Sequence, residues 1–153
     1  MRWPTLLLSF WFAAAFATQS TAAEGRIIKV LPHFLDRQGR HALSPSLYDR
    51  DAYQAQLRQQ PEQRSGMEFK ILWKAKGPSA GQLLLRVELR GIAANRALRQ
   101  LTLEKPVEAG KSSKWTGVGL KGEEYKGFGE VTAWKVSLLE DGKELSSQQS
   151  FLW

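Results

Sequence analysis

The sequence predicts an all-β chain: an antiparallel two-sheet β-sandwich of about seven strands, with one short helix inserted between the first and second strands. Three observations predict it. Short runs of alternating apolar and polar residues recur along the chain, at about 26–31, 67–75, 82–90, 98–104, 114–120, 131–139 and 144–152. Turn residues separate most of them. No strand–helix repeat is present to build a parallel sheet. A partly open barrel such as an OB-fold is the alternative architecture.

The terminal hairpin is the firmest element. Asp141-Gly142 sits between two strand-like runs, and a two-residue Asp-Gly loop favours a type I′ turn. That turn places Glu140 opposite Lys143, Leu138 opposite Leu145, Val136 opposite Ser147 and Trp134 opposite Gln149. Trp134, Val136, Leu138, Leu145 and Phe151 then face inward, and Lys135, Ser137, Glu144, Ser146 and Gln148 face water.

The chain opens with a different kind of segment. Met1 to Ala23 has the pattern of a secretory leader: Arg2, an apolar run Leu6 to Phe16, and small residues ending at Ala17 or Ala23. The run is too short for a typical membrane span, and no transmembrane segment is expected once the leader is removed. Residues 24–153 are expected to form a single domain, exported to the periplasm or the medium.

Arg26 to Leu31 reads as the first strand, with Pro32 near its end. Asp36-Arg37-Gln38-Gly39 reads as a turn with Gly39 at positive φ. The stretch 41–66 is longer than a hairpin needs. Ser44 or Ser46 is placed to cap a helix over about 47–59. Asp49 and Asp51 lie near its positive end, and Tyr48, Ala52, Ala55 and Tyr53, Leu57 form a weak apolar stripe. Pro61 ends it. In MEFKILWKA, Met67, Phe69, Ile71, Trp73 and Ala75 face one way, and Leu72 is out of phase. Leu83, Leu85, Val87 and Leu89 mark the inward side of the next strand. Leu101 and Leu103 mark the following one. On 114–120, Thr116, Val118 and Leu120 share one face, and Trp115 falls on the other with Gly117 and Gly119. Gly122 to Gly129 reads as a glycine-rich loop.

The seven-strand pattern, Trp73 on the second strand and the hairpin VTAWKVSLLEDGKEL resemble an immunoglobulin-like or fibronectin type III-like sandwich. The resemblance covers about 26–152 apart from the insertion at 41–66. It lacks a Cys…Trp…Cys pattern, and Trp134 stands where many such domains carry tyrosine. The stretches LPHFLDRQGRHALSPSLYDRDAYQAQLR and EYKGFGEVTAWKVSL resemble small secreted bacterial proteins. The resemblance is architectural and brings no site residue with it.

Composition narrows the chemistry. The chain contains no cysteine, which excludes disulfides, thiolate metal sites and a cysteine nucleophile. Its formal charge is +7, spread along the chain, a balance compatible with anionic partners. No G-x-S-x-G nucleophile elbow is present, and Gly110-Lys111-Ser112 imitates only the tail of a phosphate loop. His33, Asp36 and His41 form a weak candidate metal set; exposed turn histidines are the favoured reading. The better binding candidates are Trp115, Tyr125 and Phe128 with Lys121 and Lys126. Loop aromatics folding back as a plug over the sandwich end is the structural alternative.

These features predict an exported, non-enzymatic binding module for a protein or envelope polymer, with no cofactor. A carbohydrate or polyanion binder using the loop aromatics and lysines is the alternative, and a small metal-dependent hydrolase a lesser one. Export argues against nucleic acid as a partner.

Overall fold

The structure, a computed structural model, describes residues 24–77 and 81–153. The predicted leader and its cleavage site lie outside the described residues. The elements run β1 (Glu24–Asp36), α1 (Leu47–Gln59), a single 3₁₀ turn (Pro61–Gln63), β2 (Arg64–Lys76), β3 (Leu83–Ile92), β4 (Leu98–Val107), β5 (Lys114–Lys121), α2 (Gly122–Phe128), β6 (Glu130–Glu140) and β7 (Lys143–Gln149). Among the described residues seven strands form two antiparallel sheets, β1-β2-β5 and β4-β3-β6-β7.

Alternation builds the core between them. Phe69, Ile71 and Trp73 of β2 meet Leu85, Val87 and Leu89 of β3 and Val136 and Leu138 of β6, with Val118 and Leu120 of β5 beside them. The Trp73 indole N–H donates to Thr116 Oγ1 at 2.9 Å, so the largest core side chain carries no unsatisfied donor. Trp134 packs edge-on to Phe69, with ring centroids 5.8 Å apart, and remains partly exposed.

The Asp-Gly turn takes the expected form, with positive φ at Asp141 (48°) and Gly142 (81°). Glu140 pairs with Lys143 as predicted. Leu139 and Glu144 keep that register, and beyond them it slips: Leu138 pairs with Ser146, Ser137 with Ser147, Val136 with Gln148 and Lys135, in place of Trp134, with Gln149. A β-bulge at Leu145 absorbs the extra residue, which the turn alone does not reveal. Beyond β7 the chain turns, Phe151 is fully exposed rather than inward, and Trp153 lies against the Arg90 guanidinium, 4.1 Å from ring centroid to carbon.

Two other expectations change. The first strand runs through Pro32 to Asp36 and is about twice the predicted length. Pro32 is tolerated because β1 is an edge strand and no ladder N–H is required there. The glycine-rich segment after β5 is a short helix, α2, not an open loop. Its Phe128 sits over Gly91, where a Cβ would stand 2.5 Å from the ring.

Candidate functional site

The inserted helix forms where the sequence places it, and its job is visible in its contacts. Ser46 caps it by accepting from Asp49 N. The stripe Tyr48, Ala52, Ala55 faces solvent, and the buried residues are Gln54 and Leu57. Gln54 behaves like a missing strand. Its Oε1 accepts from Phe34 N at 2.8 Å, and its Nε2 donates to Phe34 O at 2.9 Å and to His41 O at 2.8 Å. One amide thus satisfies both backbone groups of Phe34 and closes the β1 edge at that residue, while Ser146 and Gln148 of β7 meet Ile27 farther along.

Arg64 latches the other end of the helix. Its buried guanidinium donates to the Leu57 and Arg58 carbonyls at 2.6 and 2.5 Å, meets Glu130 at 3.1 Å, and lies 4.0 Å above the Phe34 ring. The two carbonyls belong to the last turn of α1, whose free acceptors need such a donor.

The three weak metal candidates fall beneath and beside this roof. His33 lies on β1 and is buried, not in an exposed turn, because the segment after β1 folds His41 onto it. The rings stack with centroids 5.1 Å apart and 17° between planes. Parallel stacked imidazoles aim their in-plane lone pairs side by side, not at a common ion. Burial, then the positive neighbours His41, Arg50 and Lys70, push the His33 pKa down to about 4, with Glu68 opposing.

Asp36 ends β1 and accepts from Gln38 N, Arg40 N, Arg40 Nε and Tyr53 Oη at 2.8–2.9 Å. Burial works to raise its pKa, but these hydrogen bonds outweigh it and hold the carboxyl below its ordinary value. Its oxygens are occupied in shaping the turn. Among the described residues no three His, Asp or Glu side chains group as a metal-ligand set.

The aromatic candidates separate. Tyr125 and Phe128 are buried on α2 and belong to the core cluster, plugging one end of the sandwich. Lys121 and Lys126 beside them are exposed, Lys126 paired to Glu123 at 2.9 Å. Trp115 stands 53% exposed near the other end of β5, about 20 Å away along the strand.

The surroundings of Trp115 are different residues altogether. It pairs across β2 with Leu72, and Leu72 pairs with Lys29 of β1. The next row toward the roof is Leu31, Lys70, Gly117; the row on the other side joins Arg26 to Lys74. All stand on the outer face of the three-stranded sheet, since Phe69, Ile71 and Trp73 point inward. At the Asp36 end of that face α1 packs along β1 and His41 lies on His33; the half toward Glu24 is bare of any helix.

Sequence reasoning passed over Lys29, Lys70 and Lys74. The signal was present in Leu72 and Trp115, each apolar and each out of phase on its strand. No family model, curated protein or solved structure matches the chain.

Proposed function

We propose that the chain is an exported, non-enzymatic β-sandwich module that binds a protein or an envelope polymer. One observation carries this reading. The carboxylate best placed for chemistry, Asp36, is committed to four donors and His33 is stacked beneath His41, while a bare sheet face is left without an internal partner. The finer kinship is an immunoglobulin-like or fibronectin type III-like sandwich of bacterial origin. The strand order supports the sandwich part of this kinship alone: three strands, β1-β2-β5, face four, β4-β3-β6-β7, with the fourth strand beside the third instead of in the first sheet as in constant-type domains.

Expression of the full chain, fractionation of the cells and N-terminal sequencing test export. The expected product begins at Glu24 in the periplasm or medium; an intact chain retained in the cytoplasm contradicts the reading. Co-sedimentation with isolated envelope polymers and envelope proteins tests binding. Retention of the protein by one of these fractions is expected, and its recovery wholly in the supernatant contradicts the reading.

A further inference from the structure

We propose that the bare half of the outer face of β1-β2-β5 is a binding site for an anionic polysaccharide, with Trp115 as the stacking platform and Arg26, Lys29, Lys70 and Lys74 as the charged frame. This rests on the reading of the chain as a binding module and names its site and ligand.

The geometry comes from the register. Lys29, Leu72 and Trp115 form one row across three strands, each step about 4.8 Å. Lys70 and Lys74 stand two residues to either side of Leu72 on the same face, each about 6.7 Å along the strand. Cations therefore bracket an apolar strip formed by Leu72 and Trp115. Beside Trp115 the strand carries Gly117, over which the Glu68 carboxylate and the Lys70 ammonium lie, so their ion pair borders the apolar strip on that side.

Charge points the same way. Two carboxylates border this half: Glu68, bound to Lys70 at 3.1 Å, and Glu24, opposite Lys76 at its end. Arg26, Lys29 and Lys74 have no carboxylate within ion-pair distance among the described residues. At the end of the face, Arg26, Lys74 and Lys76 line a hollow of 270 Å³, with Glu24 on its wall. Like charges held together on one face without partners raise its potential toward anions.

The aromatic ring decides between polyanions. A sugar presents an apolar C–H face and, when acidic, a carboxylate or sulfate at its rim. A ring of Trp115's exposure beside Leu72 meets the first, and lysines on the neighbouring rows meet the second. Polyphosphate uses the cations but not the ring. A membrane surface requires an apolar group that projects into the lipid, whereas Trp115 belongs to the body of a strand.

Heparin serves as the probe, titrated against the full chain with tryptophan fluorescence and calorimetry as readouts. Dextran, polyphosphate, single-stranded DNA and phosphatidylglycerol vesicles form parallel arms. Heparin binding is expected to weaken as salt rises. It should fall at least tenfold in Trp115→Ala and in the double variant Lys29→Gln/Lys74→Gln. Trp153→Ala, on the opposite outer face, should leave it unchanged. Circular dichroism of each variant confirms that the fold persists. Heparin binding unaltered by Trp115→Ala, or polyphosphate, DNA or vesicles bound as tightly as heparin, overturns the proposal. Retention on an envelope fraction without heparin binding overturns the glycan site alone; failure of both overturns the module reading as well.

Discussion

The two outer faces of the sandwich solve the same problem in opposite ways. Each is a row of strands whose alternate side chains meet water. On β4-β3-β6-β7 the charges answer one another: Arg86 meets Glu104 at 2.8 Å, Lys135 meets Glu144 at 2.9 Å, and Arg90 lies on Trp153. Ser137 and Ser147 also donate to Glu144, and these bonds together with Lys135 hold its carboxyl below the ordinary range. On β1-β2-β5 the β1 edge at one end is covered by α1, and the other end exposes cations around Trp115. A face that satisfies itself contributes to folding, modestly. Charges left apart, as at Arg26, Lys29 and Lys74, add little to folding and are free to act outside the molecule.

The contrast can be broken first at the roof. Arg64→Ala removes two hydrogen bonds to helix carbonyls, an ion pair and a cation–π contact. Urea unfolding should show a loss of about 3 kcal/mol. A loss near zero means that α1 is not held by this latch. Arg64→Lys should recover less than half, because an ammonium cannot serve two carbonyls and a carboxylate in one plane.

Acid should act on the same half of the face. His33 titrates near 6.5 in the unfolded chain and near 4 in the fold. Its folded form resists the proton, so stability falls as pH drops from about 6.5 to 4, by at most about 3 kcal/mol. Asp36 acts lower. Its depressed pKa makes its contribution complete above the ordinary carboxylate range and lost as pH falls through the folded value. Unfolding of His33→Gln followed against pH should lose the upper part of this dependence and keep the lower. An unchanged profile in that variant assigns the acid sensitivity elsewhere.

Smaller still is Gln54→Ala. It leaves Phe34 N without its partner at the β1 edge and should cost about 1–2 kcal/mol. Amide hydrogen exchange at Phe34 should accelerate more than at Val136; equal protection contradicts the edge-closing role.

The smallest effects sharpen the contrast itself. A double-mutant cycle on Arg86 and Glu104 should return well under 1 kcal/mol of coupling, since both are half-exposed. Lys29→Gln/Lys74→Gln should leave stability unchanged within about 0.5 kcal/mol, or raise it slightly by relieving repulsion. A clear loss means that those lysines hold structure after all.

The legible parts of the fold were those set by local pattern. Strand count, the type I′ turn, the helix at 47–59 and the Trp73 core face follow from alternation, turn chemistry and capping. The bulge at Leu145 was not legible, because Leu138 and Leu145 both look inward and nothing local says which one slips. The α2 helix was hidden by glycines that serve its two ends, Gly122 and Gly129, both at positive φ. The site was harder for a topological reason. Leu72 and Trp115 break phase on strands that lie far apart in sequence, with β3 and β4 between them. Only the pairing of β2 with β5 turns two isolated exceptions into one apolar strip, and only that pairing with β1 brings Lys29 to its side. Tyr125 and Phe128, by contrast, drew attention by composition, and burial gives them a structural role.

The most direct measurement is a backbone amide chemical-shift map of the protein titrated with heparin. Shifts are expected to concentrate at 26–31, 70–74 and 114–118 and to fade toward 33–36 and 64–68. Shifts concentrated at 86–90, 100–104 and 135–147 instead, or none at saturating polymer, would contradict that placement of the site.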